Sequence, residues 1–199
     1  LLAKYLPKRP GFFIEAGAND GYRQSNTYYL EQIKGWRGLL IEPLPRLAAK
    51  CQKTRPRSTV RQCALVGNDL ERPKISLLDL DLMSFQKGAY GGNEKEQRRI
   101  QLAMDAQNLE SYGQVEVKTS RLSSILDEIG SPPVDFFSLD VESSELDVLS
   151  GLDLQRHRPT WILVETQSPD AVLAALPGYA MEAKLTQHDY LYFDHQNGE

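Results

Sequence analysis

Short apolar runs recur along the chain, and each stops at an acid or a turn residue. Phe12-Phe13-Ile14 runs into Glu15-Ala16-Gly17, and Leu39-Leu40-Ile41 runs into Glu42-Pro43. Brief, β-prone runs bounded by turn residues are the pattern of buried strands. Between them Tyr28, Tyr29, Leu30 and Ile33 recur at helical spacing, which predicts a helix over 25–34 stopped by Gly35. Strand, helix and strand within about thirty residues make a βαβ unit. The alternation continues with a helix over 45–54, a third strand over 58–66 and a peripheral strand over 74–80. A helix over 121–129 with Ser120 as its cap, a strand over 134–140 and a short helix over 145–149 come next. A strand over 161–165, a helix over 169–176 and an antiparallel pair over 179–185 and 190–194 close the chain. Such alternation predicts an α/β fold, a mostly parallel, doubly wound sheet covered on both faces.

One stretch breaks the rhythm. Residues 85–113 are polar and rich in Gln and Asn, with Gly91-Gly92 as a hinge. A helix over 93–109 would lie across the mouth of the sheet as a lid or acceptor-side insertion; a solvated connector is the alternative. The whole chain, 1–199, is otherwise expected to be a single domain.

Composition narrows the function. The net charge of -4, with both signs mixed along the chain, lacks the basic footprint of a nucleic-acid binder. No apolar run is long enough to span a membrane. The two cysteines, Cys51 and Cys63, read as free thiols of a reducing compartment, which points to the cytoplasm. The chain opens on Leu1-Leu2 without a methionine, so it is expected to be part of a longer protein, and an upstream signal, anchor or domain stays open.

The candidate chemistry lies at the strand ends. Glu15, Glu42 and Glu165 each end a predicted central strand, and a fourth strand ends in Asp140 with Glu142 just beyond. In an open parallel sheet, ligands bind outside the carboxyl ends of the strands. Several acids gathered there are costly unless they bind something. The first turn, Glu15-Ala-Gly17-Ala-Asn19-Asp20-Gly21, has glycines for a tight turn but not the Gly-x-Gly-x-x-Gly spacing of a nicotinamide site. Glu42, about twenty residues beyond, is placed to bind ribose hydroxyls, and nothing resembles a triphosphate cradle. These features describe a nucleoside site.

Several blocks in order carry a family resemblance: Phe13-Ile-Glu-Ala-Gly-Ala-Asn-Asp-Gly21, Ser25-Asn-Thr-Tyr-Tyr-Leu-Glu31, Gly35-Trp-Arg-Gly-Leu-Leu-Ile-Glu-Pro43, Asp81-Leu-Met-Ser84, Phe137-Ser-Leu-Asp-Val-Glu142 and Ile162-Leu-Val-Glu165. Together they resemble the FkbM family of methyltransferases. The resemblance implies a Rossmann-like class I methyltransferase fold, with a seven-stranded sheet and one antiparallel strand near its edge. It implies S-adenosylmethionine on the turn formed by Glu15, Gly17, Asn19, Asp20 and Gly21. Ser25, Asn26 and Thr27 would lie near the methionine part, Glu42 with Pro43 at the ribose, and Cys63-Ala64 at the adenine. Asp81 and Ser84 would close the adenine side, and Asp140, Val141 and Glu142 would line the boundary with the acceptor. The family's usual glycine after Asp-Val-Glu is Ser143 here, which implies a strained or altered turn.

The implied reaction is methyl transfer to a hydroxyl of a small molecule such as a sugar, glycolipid or natural product. Asp140, Glu142 and Glu165 are the candidates to take the hydroxyl proton, with Asp140 or Glu142 preferred. Arg98, Arg99 and Gln101 are available to a hydrophilic acceptor. No metal is needed, although an oxygen-ligated divalent ion is the alternative use of the acids. A dehydrogenase and a catalytically degenerate interaction domain are the other readings.

Overall fold

The computed structural model describes residues 2–196, so the two ends of the expected domain, residue 1 and residues 197–199, lie outside the described residues. The chain forms β1 (Phe12–Ala16), α1 (Tyr28–Gln32), β2 (Arg37–Ile41), α2 (Pro45–Thr54), β3 (Thr59–Arg61) and β4 (Ala64–Leu65). It continues through β5 (Lys74–Asp79), β6 (Phe85–Gln86), α3 (Asn93–Gln107), β7 (Gly113–Ser120) and α4 (Leu122–Glu128). The last third holds β8 (Phe136–Leu139), α5 (Glu145–Ser150), β9 (Trp161–Glu165), α6 (Pro169–Ala174), β10 (Tyr179–Lys184) and β11 (Asp189–Asp194).

The main sheet has seven strands in the order β10-β11-β9-β8-β1-β2-β3. β11 alone runs antiparallel, pairing with β9 on one side and β10 on the other. Apolar side chains fill both faces, as a sheet buried on both sides requires. On one face Ile14, Leu39, Phe137 and Ile162 pack under α4, α5 and α6. On the other, Phe13, Leu40, Phe136 and Leu163 pack with Leu30 of α1, Trp36 and Cys51 of α2. This is the class I methyltransferase topology that the resemblance implies.

Register then places the chemistry. Ala16 lies beside Ile41 and Leu139, and Leu139 beside Val164. The next residue on each strand or just past it is therefore Gly17, Glu42, Asp140 and Glu165, four neighbours along one carboxyl edge. Glu15 sits one step back, level with Leu40 and Ser138.

Four local expectations need correction. The helix expected over 25–34 is only Tyr28–Gln32, because Ser25, Asn26 and Thr27 are drawn instead onto the Glu15 carboxylate. Side chains that bond locally compete with helix in this way. The strand expected over 58–66 is two strands in different sheets: β3 stays at the edge of the main sheet, while β4 pairs with β7. A second sheet, β4-β7-β5-β6, was not expected at all. Ser120 ends β7 opposite Leu65 rather than capping α4, whose N-cap is Arg121.

The second sheet matters because it walls the carboxyl edge. Leu77 and Val117 pack against Leu44 and Leu47 at the start of α2. On its far side Leu78, Leu80 and Phe85 receive Ile100 and Ala103 of α3. The helix expected over 93–109 thus forms, and its C-terminal end is tied to the 80–82 segment by Gln107, which donates to Leu80 O and accepts from Leu82 N.

Candidate active site

Two clefts open at the carboxyl edge and share a wall. The first encloses about 850 Å³, its open mouth included, between the main sheet and the second sheet. Gly17, Asn19, Glu42 and Pro43 form its floor, and Leu65, Ile75 and Leu77 its apolar side. The second is wider and polar, about 1710 Å³ with its mouth, and runs from Glu165, Thr166 and His188 to Tyr90 and Arg99. Asp140, Glu142, Ser144 and Gln86 line both.

Glu42 is the buried acid of the first cleft. Its two carboxylate oxygens accept the backbone N–H of Asn19 at 2.8 Å and of Leu44 at 2.9 Å. Burial nevertheless dominates these bonds and pushes its pKa up to about 7. Gly17 and Asn19 both adopt positive φ, +85° and +48°, in the turn beside it. Gly17 has no alternative, since a Cβ there would collide with the carbonyl oxygen of Asp140 on the neighbouring strand. Asp81, also at positive φ, lines the rim and is held by Arg23 and Arg46.

Glu15 does something else. Its carboxylate turns away from the cleft and accepts Ser25 Oγ, Asn26 N and Thr27 Oγ1, at 2.7–2.8 Å. Asp20 likewise faces its own loop, accepting the amides of Tyr22 and Arg23 and the Arg23 guanidinium, and these contacts hold its carboxyl below the usual range despite some desolvation. Gly21, Ser25, Asn26 and Thr27 shape the loop without lining the first cleft.

The second cleft gathers the acids. Burial first, and then the nearby charges of Glu165 and Glu142, raise the Asp140 pKa well above the carboxylate range. Glu142 is raised by burial but opposed by Arg99, which reaches over from α3 to donate to it. Burial raises Glu145 as well. Among the described residues, no three His, Cys, Asp or Glu side chains are disposed to hold a metal ion.

The Ser143 turn is strained as its sequence implied. Glu142 and Ser143 both lie at positive φ, +52° and +74°. Left-handed backbone disfavours residues with a Cβ. Ser143→Gly is expected to stabilise the protein by about 1 kcal/mol, the relief of strain exceeding the glycine's added chain entropy. Thermal unfolding should show a rise of roughly 2–4 °C; an unchanged or lower Tm would mean that the turn carries no strain.

Of the residues expected at the cofactor, Gly17, Asn19, Glu42, Pro43, Ala64, Asp81, Ser84, Asp140 and Val141 line the first cleft. Glu15 stands behind the loop, and Asp20, Gly21, Ser25, Asn26 and Thr27 belong to the loop without lining the first cleft. Glu142 borders both clefts and Glu165 only the second. Arg99 lines the second cleft, whereas Arg98 and Gln101 are exposed on the outer face of α3. Sequence reasoning missed Ile75, Leu77 and Gln86, because it missed their sheet. The signal was present in Val115-Glu116-Val117-Lys118-Thr119, a strict alternation of apolar and polar positions. Arg55, the buried arginine that follows α2, had no such signal.

The sequence matches the methyltransferase FkbM domain over residues 15–192. The chain belongs to the FkbM methyltransferase family. Its cofactor is S-adenosylmethionine. Among solved structures, the methyltransferase FkbM from Methylobacillus flagellatus is 18% identical with a TM-score of 0.54. That alignment covers 92% of this chain and 43% of the Methylobacillus chain, so this chain spans less than half of that protein. An O-methyltransferase from Bacillus cereus, solved in complex with SAH, is 14% identical with a TM-score of 0.46, over 93% of this chain and 74% of its own. No curated protein matches the sequence significantly.

The first cleft fits the family's cofactor by its donor and acceptor set. It offers a buried carboxylate to a ribose diol, an apolar side to an adenine, and the Asp140 and Glu142 carboxylates toward a sulfonium. No helix is long and apolar enough to cross a membrane among the described residues. Both cysteines are free and buried, and burial pushes their thiols up to about 12 for Cys51 and about 11 for Cys63.

Proposed function

We propose that this FkbM-family domain transfers the methyl group of S-adenosylmethionine to a hydroxyl of a small polar molecule (a sugar, a glycolipid or a natural product). The observation that carries the reading is the shared wall. A narrow cleft suited to a nucleoside and a broad polar cleft meet at Asp140 and Glu142.

Bound in the first cleft, S-adenosylmethionine supplies an already electrophilic methyl carbon. The protein's work is therefore alignment, which is worth about 7–11 kcal/mol for well-oriented partners. Glu42 would bind the ribose hydroxyls, Ala64 and Leu65 would contact the adenine, and Asp81 with Ser84 would close that side. Asp140 would take the acceptor's proton: its raised pKa brings it toward the working pH, where a general base is most effective. Glu142, already paired with Arg99, would orient the acceptor instead. Arg99 Nε is buried without a hydrogen-bond partner among the described residues, a donor free for an acceptor oxygen. Segment 85–113, through α3, would act as the acceptor-side wall.

Calorimetry with S-adenosylmethionine and S-adenosylhomocysteine tests the reading. Wild type is expected to bind both, and Glu42→Ala to bind about 10- to 100-fold more weakly, the worth of a charge-assisted hydrogen bond. Affinity should also depend on pH. Hydroxyls donate to the ionised carboxylate, so binding strengthens as pH rises through about 7, where Glu42 ionises in the free protein. A folded wild-type protein that binds neither ligand would overturn the enzyme reading and leave a degenerate interaction domain.

A further inference from the structure

Arg55 is fully buried, yet it lies in no strand and lines neither of the two clefts. It ends α2 and sends its guanidinium under the 17–27 loop. Nη1 donates to Gly21 O at 3.2 Å, to Ser25 Oγ at 3.1 Å and, at a long 3.5 Å, to the Glu15 carboxylate. Nη2 donates to Thr27 Oγ1 at 2.9 Å. Only Nε turns the other way, to Glu31 at 2.8 Å. The guanidinium also lies over the rings of Phe13 and Tyr28, 5.3 and 5.7 Å from their centroids.

A buried charge is costly, and an apolar residue would fill such a space more stably. What the guanidinium does is tie down a loop that has no regular structure of its own. Gly21, at φ +79°, makes this possible, since a Cβ there would stand 2.8 Å from Arg55 Cγ. The opposite surface of the same loop presents Gly17, Asn19, Arg23 and Gln24 to the first cleft. The clamp is on one side and the ligand-facing side on the other.

We propose that Arg55 is the positioning residue for the cofactor loop, holding residues 21–27 in their binding conformation before the cofactor arrives. The inference rests on the first cleft being the cofactor site. A loop ordered in advance loses less freedom on binding and so binds more tightly. Arg55→Lys keeps the charge and loses the planar fork that spans Gly21, Ser25 and Thr27. Thr27→Val removes one loop-side acceptor of Arg55, together with the Thr27 hydroxyl's bond to Glu15, and leaves the pair of Arg55 with Glu31 in place. Ser58→Ala removes only a bond to Glu31, on the side of the network away from the loop.

The experiment uses the full chain, with S-adenosylhomocysteine calorimetry and amide hydrogen exchange on each variant. Arg55→Lys is expected to weaken affinity about 10- to 100-fold, and Thr27→Val less. In both, amides of residues 21–27 should lose protection in the free protein and recover it at saturating ligand, while β1, β2 and β8 stay protected. Ser58→Ala should lower Tm and leave affinity at the wild-type value. If Arg55→Lys does not fold, Thr27→Val decides. Wild-type protein that binds no ligand would fell the site reading and this inference together. Wild-type binding with unaltered affinity in both loop variants, or loop protection that does not change, would fell this inference alone.

Discussion

Gly17→Ala is expected to abolish cofactor binding and to cost the fold a large part of its stability. Two independent costs fall on one methyl group. At φ +85° a residue with a Cβ is disfavoured by about 1–2 kcal/mol. The new Cβ would also overlap the Asp140 carbonyl oxygen, which is backbone of the adjacent central strand and has no rotamer to change. Forcing such a contact typically costs about 1–3 kcal/mol more. The sum, about 2–5 kcal/mol, is a serious share of the roughly 5–15 kcal/mol that holds an ordinary domain together. Whatever shift relieves it must part β1 from β8 at the floor of the first cleft, where Gly17 and Asp140 meet. Thermal unfolding and S-adenosylhomocysteine calorimetry measure both losses. Gly113→Ala is the control, since its nearest neighbour, Asp79 Cβ, lies 4.0 Å from the added methyl, an ordinary contact. Wild-type affinity in Gly17→Ala would remove this turn from the site.

The legible part of this protein is the part built from repeated, local signals. The main sheet could be read from its apolar runs because a strand buried on both faces must be apolar at consecutive positions. The strand-end acids could be read because parallel register brings successive strand ends to one edge. Glu15 shows the limit of that rule. In sequence it ends its apolar run much as Glu42 does, but β1 runs to Ala16, so its register partners are Leu40 and Ser138, a step inside the edge. That single step turns a candidate ligand residue into the anchor of a loop. The second sheet was illegible for another reason. Its strands β4 and β6 are only two residues long and β7 is half-exposed, so β4 looked like the continuation of β3, β5 like a lone peripheral strand, and β7, beyond the polar 85–113 stretch, like no element at all. Arg55 was hidden most completely. Nothing in a lone arginine after a helix signals burial, and its role exists only once α1, α2 and the loop enclose it.

The same physics makes Asp140→Asn the sharpest test of the chemistry, because stability and activity should move in opposite directions. Burial and the neighbouring Glu165 and Glu142 charges raise the Asp140 pKa in the folded protein. A carboxylate raised in this way favours the fold while it is protonated and opposes it once ionised. Wild-type stability therefore falls as pH rises from the ordinary aspartate value through the raised one. Asparagine has nearly the same shape as the acid and cannot ionise. The variant should match wild type at low pH and become the more stable of the two as pH rises, a gap that thermal unfolding across pH would trace. Methyl transfer should meanwhile fall by about 10²- to 10⁴-fold, the usual contribution of a general base. S-adenosylhomocysteine, which lacks the sulfonium charge, should still bind with near wild-type affinity, separating a lost base from a lost site. If Asp140→Asn keeps full activity, the proton goes elsewhere, and Glu142, the other carboxylate common to both clefts, becomes the base.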